Sequence, residues 1–480
     1  MARAKDDAYA NTVRLGGKNW TRPINRVPES TALTASGKMS HTYSRPTAVT
    51  SAIDDFYPML LALLLAGYAL FSKAFAYIGV GPVYVGEIVF ALGVVALARS
   101  NAAFAALTTL PGFLLALLST WAVLRTLPYL GRYGFDALRD SVIVMYGGFA
   151  FIVTALLLDK PDRLALIVKF LRALTSAVIV VGTVLLLVRT NWSDVDIAQM
   201  FVKPGSLAVH LSGAALLMLL GFRRVGLGWL FLLIIGMALT SMMNRGAMLT
   251  ILVPIAVAVV ASGKWREVAV GMAVVVAVVG AAYTIGGSIP TNSSREISAN
   301  QLVGNFTSIF GDSGSATDSG SLQGTKNWRL AWWEAILNYT VNGPYFWSGK
   351  GFGVNLALAD GFFVTGENSN APPLRSPHNS HFTILARTGV PGLVLWILTL
   401  GSWSVMLLIN VVHARMQGNR AWADFFTLIF CYALAFIIEG TFDVALEGPM
   451  SGIWFWCLFG VGIGATLIYR AGATQEYGTV

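Results

Sequence analysis

Charge is what this sequence has least of. Only 12% of its 480 residues are Asp, Glu, Lys or Arg, about half of the roughly 25% that a soluble domain carries. A chain so poor in charge cannot clothe a large water-facing surface, which excludes an ordinary soluble enzyme. Cysteine is also scarce. Cys431 and Cys457 both lie in apolar runs, so there is no disulfide framework and no Cys-x-x-Cys pair for metal or redox chemistry. No Asp-rich cluster of the kind that holds magnesium in metal-dependent transferases stands beside the polar motifs described below.

What is there is apolar: 55% of the residues are hydrophobic and the mean hydropathy is +0.66. Long apolar runs recur along most of the length, the pattern of an all-α polytopic membrane protein. About twelve spans are expected, at 57–78, 83–98, 104–124, 141–158, 164–188, 207–222, 227–243, 247–262, 268–285, 392–412, 425–438 and 453–469. The chain then divides into a basic tail over 1–55, nine helices over 56–286, a large outer loop over 287–391, three helices over 392–470 and a short C-terminal tail over 471–480. The first tail is too long and polar for a signal peptide and reads as disordered and cytoplasmic.

The formal charge of +9 does not point to nucleic acid. Much of it lies in the tail and in short loops, where anionic lipid and the positive-inside rule account for it. An even number of spans places both termini on one side with Arg99, Lys160, Arg163, Arg223, Arg224, Lys264, Arg266, Arg415 and Arg420. That side is the cytoplasm by the same rule.

Basic residues on the opposite side need another reason. Arg245, in Ser-Met-Met-Asn-Arg-Gly-Ala, sits between two spans with almost no loop. A charge at membrane level marks a functional site, the alternative being an arginine snorkelling to the interface. In the outer loop, 288–325 is rich in Ser, Gly, Asn and Asp and reads as a mobile flap. Over 327–341, Trp328, Leu330, Ala331, Trp332, Ala335, Ile336 and Tyr339 recur at helical spacing, with Arg329 and Glu334 as the charged members. This predicts an amphipathic helix on the outer leaflet, with Trp332, Trp333 and Tyr339 suited to the interface. A glycine-rich stretch, Gly-Lys-Gly-Phe-Gly at 349–353, could offer N–H groups to an anion, although its spacing is not that of a P-loop.

The outer loop ends in Arg-Ser-Pro-His-Asn-Ser-His-Phe-Thr-Ile-Leu-Ala-Arg-Thr-Gly-Val-Pro-Gly at 375–392. Ser376 reads as an N-cap and Pro377 as the first helical residue, which puts His378 and Asn379 in an exposed first turn. Helix N–H groups and the macrodipole disfavour imidazolium there, and a histidine held neutral can accept a proton. His381 follows on about the same face. The alternative is a polar helix cap with incidental histidines. Arginine binds phosphate oxygens in a fork and stays charged. Arg245, Arg329 and His378 together would therefore suit transfer from a lipid-linked diphosphate, with guanidinium in place of a metal.

The stretch at 377–392 resembles the signature of the O-antigen ligase and O-antigen polymerase superfamily, in which a His-Asn helix runs into Gly-hydrophobic-Pro-Gly. Asn-Arg-Gly at 244–246, Trp-Arg-Leu-Ala-Trp-Trp at 328–333 and the glycines at 349–353 are similar to its other motifs. The long basic N-terminal tail departs from it. The resemblance implies a GT-C-like, metal-independent, inverting glycosyltransferase without a cofactor, in the bacterial inner membrane with its site facing the periplasm. It implies an undecaprenyl-diphosphate-linked glycan as donor and a glycan or lipid-linked acceptor. A chain-length regulator and a flippase are the implied protein partners. By the same resemblance His378 is the general base, and Arg245 and Arg329 hold the diphosphate, with Asn379 and His381 beside the substrate. Lys73, Arg125, Arg139, and Lys203 with His210 are candidates for the lipid diphosphate, or else interfacial anchors. Glu439, Asp443 and Glu447 would bind sugar hydroxyls or, the favoured reading, satisfy outer arginines.

Two other readings compete. A transporter or flippase also carries intramembrane charge and Gly/Pro breaks, but no inverted repeat is visible and the large insertion lies on one face. A scaffold in envelope assembly leaves Arg245 without a purpose. Within the enzyme reading, a polymerase is favoured over a ligase that attaches glycan to lipid A-core.

Overall fold

The computed structural model describes residues 48–472 except 82, 191–199, 225, 286–287, 290–296, 311–318 and 363–373. Most of the basic tail therefore lies outside the described residues. Helix α1 (Ala48–Ala76) breaks at Ser72, where φ is 48°. A short antiparallel ladder of β1 (Gly79–Val80) and β2 (Val83–Tyr84) leads into α2 (Val85–Arg99). Then come α3 (Leu110–Tyr133), α4 (Phe135–Met145), α5 (Gly148–Asp159), α6 (Arg163–Ala177) and, after a π-helical turn, α7 (Thr183–Thr190). They are followed by α8 (Pro204–Leu219), α9 (Leu227–Met243), α10 (Arg245–Ser262) and α11 (Trp265–Ile285). The outer segment holds the ladder β3 (Ser288–Ile289) with β4 (Ile297–Ser298), then α12 (Ala299–Phe310), α13 (Ser319–Thr340) and α14 (Leu356–Asp360). The chain closes with α15 (Ser380–Met416), α16 (Arg420–Phe442) and α17 (Pro449–Arg470).

Helix covers most of each of the twelve expected segments, but their lengths do not all suit a crossing. Among the described residues seven helices are long and apolar enough to span a membrane, or eight if α4 and α5, bent by 43°, count as one. Helices α8 and α9 are apolar but shorter, and α2 has 15 residues, a rise of about 22 Å against a hydrocarbon core of about 30 Å. Several boundaries also move, two of them with a clear local cause or consequence. Helix α3 starts at Leu110, not 104, because Thr109 accepts from Gly112 N and Pro111 pre-sets the first turn. Helix α15 starts at Ser380, well ahead of the expected 392.

The core of the bundle is α17, buried along 94% of its apolar window, with α16 at 78%. Glycines let neighbours reach the α17 backbone, the small-residue packing favoured between helices in lipid. A Cβ at Gly460 would meet Ala150 O at 2.5 Å, and one at Gly462 would meet the Trp403 ring at 2.8 Å. Indole N–H groups have no water to bond within a bilayer, and here they find carbonyls. Trp454 donates to Leu65 O, Trp456 to Ile143 O and Trp403 to Phe459 O.

The outer segment is more ordered than its composition suggests. In α12, within the expected flap, buried Asn305 donates to Ser241 O and Met242 O at the end of α9. Helix α13 covers the expected amphipathic segment, but Trp332 and Ile336 are fully buried against Leu356, Ala357, Leu385 and Ala386. Trp332 serves protein packing, stacked on Phe362 and donating to Asp360 Oδ2, and not the lipid interface expected of it.

The glycine-rich stretch is also explained by packing. Helix α15 kinks at Gly389, and Pro391 has no N–H for Arg387 O. Gly351 N donates to that carbonyl instead, Lys350 N donates to Ala386 O, and the Trp121 indole donates to Thr388 O. Val390 N turns away to Phe346 O. These two glycine motifs are halves of one joint, and the N–H groups that might have held an anion are used inside the protein. Gly389 has φ 72°, and a Cβ there would meet Phe346 O at 2.4 Å. Gly389→Ala should therefore destabilise the protein by more than about 1 kcal/mol, seen as a fall of several degrees in the thermal unfolding midpoint in detergent.

Candidate functional site

The last turn of α16 is where the polar outer residues meet. The carbonyls of a final helical turn lack intrahelical partners and carry the negative end of the macrodipole. Phe442 O uses this position to accept from Arg329 Nη1 at 2.9 Å, so α13 is pinned to the end of α16 by a guanidinium. Phe442 also packs on the start of α10. A Cβ at Gly246 would lie 2.9 Å from the Phe442 Cβ. Asn244 caps α10 by accepting from Gly246 N at 2.8 Å, which leaves Arg245 as the first residue of that helix. The tight turn expected at Arg245 is thus present, and it adjoins the residue that Arg329 holds.

Asp443 follows Phe442 and is the hub. Lys203, just before α8, reaches Asp443 Oδ2 at 2.6 Å, and His378 Nδ1 lies 3.4 Å from Oδ1. Val444 N donates to Oδ1 at 2.7 Å. Burial pushes the Asp443 carboxyl up, but Lys203 and the hydrogen bond from His378 outweigh it and hold the acid well below the usual carboxylate range. An ionised carboxylate only accepts, so Nδ1 of His378 donates to it, and in the neutral ring Nε2 is then the acceptor. The imidazole is 30% exposed, open to a substrate yet held from behind.

His378 is not in a first helical turn. Its φ is 52°, in the left-handed region, which prevents Pro377 and His378 from entering the helix. Asn379 is the N-cap, accepting from His381 N and Phe382 N at 2.9 and 3.2 Å. This corrects the expectation that Ser376 caps the helix. Asn379 is the better cap because its side chain reaches the free N–H groups from an extended backbone. Trp333 stacks on Phe382 and donates to Pro377 O at 3.0 Å, so the turn bearing His378 is clamped from α13. A non-glycine residue in such a conformation is a strained position fixed by its surroundings.

The remaining candidates separate by their contacts. His381 accepts from Trp396 Nε1 at 2.9 Å through Nδ1. An indole only donates, so Nε2 bears the proton and points to Thr441 Oγ1 at 3.1 Å. Nδ1 thus braces α15 across its own kink, and Nε2 braces α15 against α16. Arg139, itself exposed, pairs with Asp136 at the surface of α4 and with the buried side chain of Asp140. Lys73 is in the last turn of α1, beside the break at Ser72, whose hydroxyl faces Met450 Sδ. Neither is joined to the His378 cluster by the contacts described. Arg125 donates to Ser348 O, and His210 is buried among Tyr432, Phe436 and Trp454. Lys203, by contrast, is at the centre. The three carboxylates differ in their surroundings, and Arg329 acts electrostatically on Glu439 as Arg387 does on Glu447. Asp443 takes Lys203 and His378, while Glu447 accepts from Thr383 Oγ1 at 2.8 Å. Burial raises the Glu447 carboxyl, against the pull of Thr383 and Arg387.

Asp443 and Trp333 were not assigned these roles from the sequence. The signal for Asp443 was present, since Glu439 and Asp443 are four residues apart at the end of an apolar span and so lie on one helix face. No such signal exists for Trp333, whose partner Pro377 is far away in the chain.

A second ionic cluster frames the site. Arg387 is buried and pairs with Asp140 Oδ2 at 3.0 Å, which also takes Arg375 at 3.0 Å and Gly353 N at 3.2 Å. Arg387 Nη1 donates to Val354 O as well. These bonds tie α4, the 349–353 joint and α15 together.

Residues 229–397 match the model of a family described as O-antigen ligase, which supports the O-antigen ligase and polymerase superfamily and a role in glycan transfer in surface polysaccharide synthesis. The matched segment contains Arg245, Arg329 and His378, while Lys203 and Asp443 lie outside it. No curated protein matches the chain.

The frame can be tested apart from activity. Breaking a buried ion pair from one side costs about 3–5 kcal/mol. Arg387→Met is therefore expected to lower the unfolding midpoint sharply and to expose the 349–353 segment to protease. An unchanged midpoint would show that Asp140 and Arg375 suffice.

Proposed function

We propose that the protein transfers a glycan from an undecaprenyl-diphosphate-linked donor to a sugar hydroxyl at the periplasmic face of a bacterial inner membrane, polymerising the repeat units of a surface polysaccharide. The observation that carries this reading is His378 backed by an ionised Asp443, with Lys203 and Arg329 beside it and Arg245 on the adjoining helix.

His378 Nε2 takes the proton of the acceptor hydroxyl as its oxygen attacks the anomeric carbon. The bond from that carbon to the diphosphate breaks on the opposite face, its electron pair leaves with the diphosphate oxygen, and the configuration inverts. Asp443 keeps the imidazole in the tautomer that can accept and stabilises the imidazolium that forms. Arg245 and Arg329 hold the diphosphate as charge builds on it, so the reaction needs no divalent ion. A second reading, transfer to lipid A-core, is favoured by the description of the matched family. The two differ in product: a ladder of repeat lengths marks the polymerase and a single addition the ligase.

Purified protein in excess chelator, supplied with donor and acceptor lipids, should form glycan product. His378→Asn suits the left-handed backbone better than alanine and should lower transfer on the order of 10²–10⁴-fold. Near-normal transfer by a folded His378→Asn protein would remove the base from the mechanism. Activity lost in chelator and restored by one divalent ion would remove the metal-free route. Arg245→Lys and Arg329→Lys keep charge but lose the fork. Each should impair transfer, and the double variant should be little worse than the worse single, as groups holding one leaving group act together. Additive losses would assign them to separate steps.

A further inference from the structure

Glu439 is a buried carboxylate that the transfer steps above do not use. It lies one turn below Asp443 on α16 and is fully buried. Oε2 has only a 3.4 Å contact with Thr250 Oγ1 on α10. Oε1 has no hydrogen-bond partner among the described residues. The space for it comes from Gly205 at the start of α8, where a Cβ would lie 1.7 Å from Oε1. Lys203, Arg329 and Asp443 all act on it electrostatically.

An unpaired acid in such a place is costly to keep, and packing alone would be served by an apolar side chain. In its ionised form it supplies negative charge close to Arg329, one of the two guanidiniums assigned to the diphosphate. Two guanidiniums in a partly dehydrated site would hold a diphosphate tightly after the glycan has left it as well as before, and turnover requires the spent lipid to go. Building on the proposed transfer reaction, we propose that Glu439 is a positioning residue whose carboxylate charge weakens the hold of Arg245 and Arg329 on the diphosphate, so that the undecaprenyl diphosphate product is released.

The test compares product inhibition and turnover in the purified full chain. Glu439→Gln keeps the shape and removes the charge, so inhibition by added undecaprenyl diphosphate should tighten on the order of tenfold. Steady-state turnover should fall more than the single-turnover rate of pre-bound donor, since release and not transfer is slowed. Glu439→Met removes the charge by another route and should act alike, which covers failure of the glutamine variant to accumulate. Glu439→Asp retains the charge and should stay near the parent in product inhibition. A purely structural role would lower both rates together without tightening inhibition, and that result overturns the inference. So does equal tightening in Glu439→Asp. If the parent protein is not inhibited by undecaprenyl diphosphate at all, it is the donor assignment that fails.

Discussion

Asp443 has to be satisfied by groups that the chain brings from far away, and much of the outer architecture serves that requirement. Lys203 arrives before α8 and His378 before α15, and the carboxylate bridges them from the end of α16. A charged group at the rim of an apolar bundle is stable only with partners in place. The same pairing that makes the carboxylate tolerable gives the imidazole a fixed tautomer. Stability and proposed chemistry here rest on one contact, and neither could be altered without the other.

The position of His378 depends in turn on a rigid frame. Its left-handed backbone is held between the Asn379 cap and the Trp333 clamp on Pro377. Behind it, the kink of α15 is spliced by the 349–353 glycines, whose N–H groups take the carbonyls that Pro391 and Val390 leave. Arg387 and Asp140 lock this joint to α4. Motifs that look like ligand-binding elements in a linear reading are here the joinery that keeps a polar turn in one place. This matters because backbone polar groups near the membrane have no water to fall back on and must be satisfied by protein.

Several features were legible in the sequence because they depend on local physics. Helix covers most of each of the twelve apolar runs that hydropathy marks, since an apolar run in lipid must bond its own backbone. The charge at Arg245 stood out for want of a loop to hold it, and the turn is there. The helix bearing Arg329 was visible in the spacing of Trp328, Trp332 and Ile336, although which face is buried was not. The order within 299–310 was hidden by the polar residues around it, because Asn305 is tied to α9 carbonyls that no local pattern can reveal. Hydropathy detects an apolar helix and not whether it is long enough to cross, so α2, α8 and α9 read as spans although they are short for a full crossing.

The sequence by itself determined the class of protein and the chemical types in the outer segment: a helical membrane chain with arginines and a histidine, poor in acids. Short-range spacing and composition suffice for that, because helix formation and partitioning into lipid act on consecutive residues. Only the tertiary structure decided which polar residues meet. Lys203 and Arg139 looked alike as weak candidates, yet one binds Asp443 and the other sits in a surface ion pair. His378 and His381 stand three residues apart, yet one ring is open and the other has both nitrogens engaged. These distinctions come from contacts between segments far apart in the chain. The energy that selects them is the cost of leaving a polar group unpaired, a cost set by the fold and not by the neighbours in sequence.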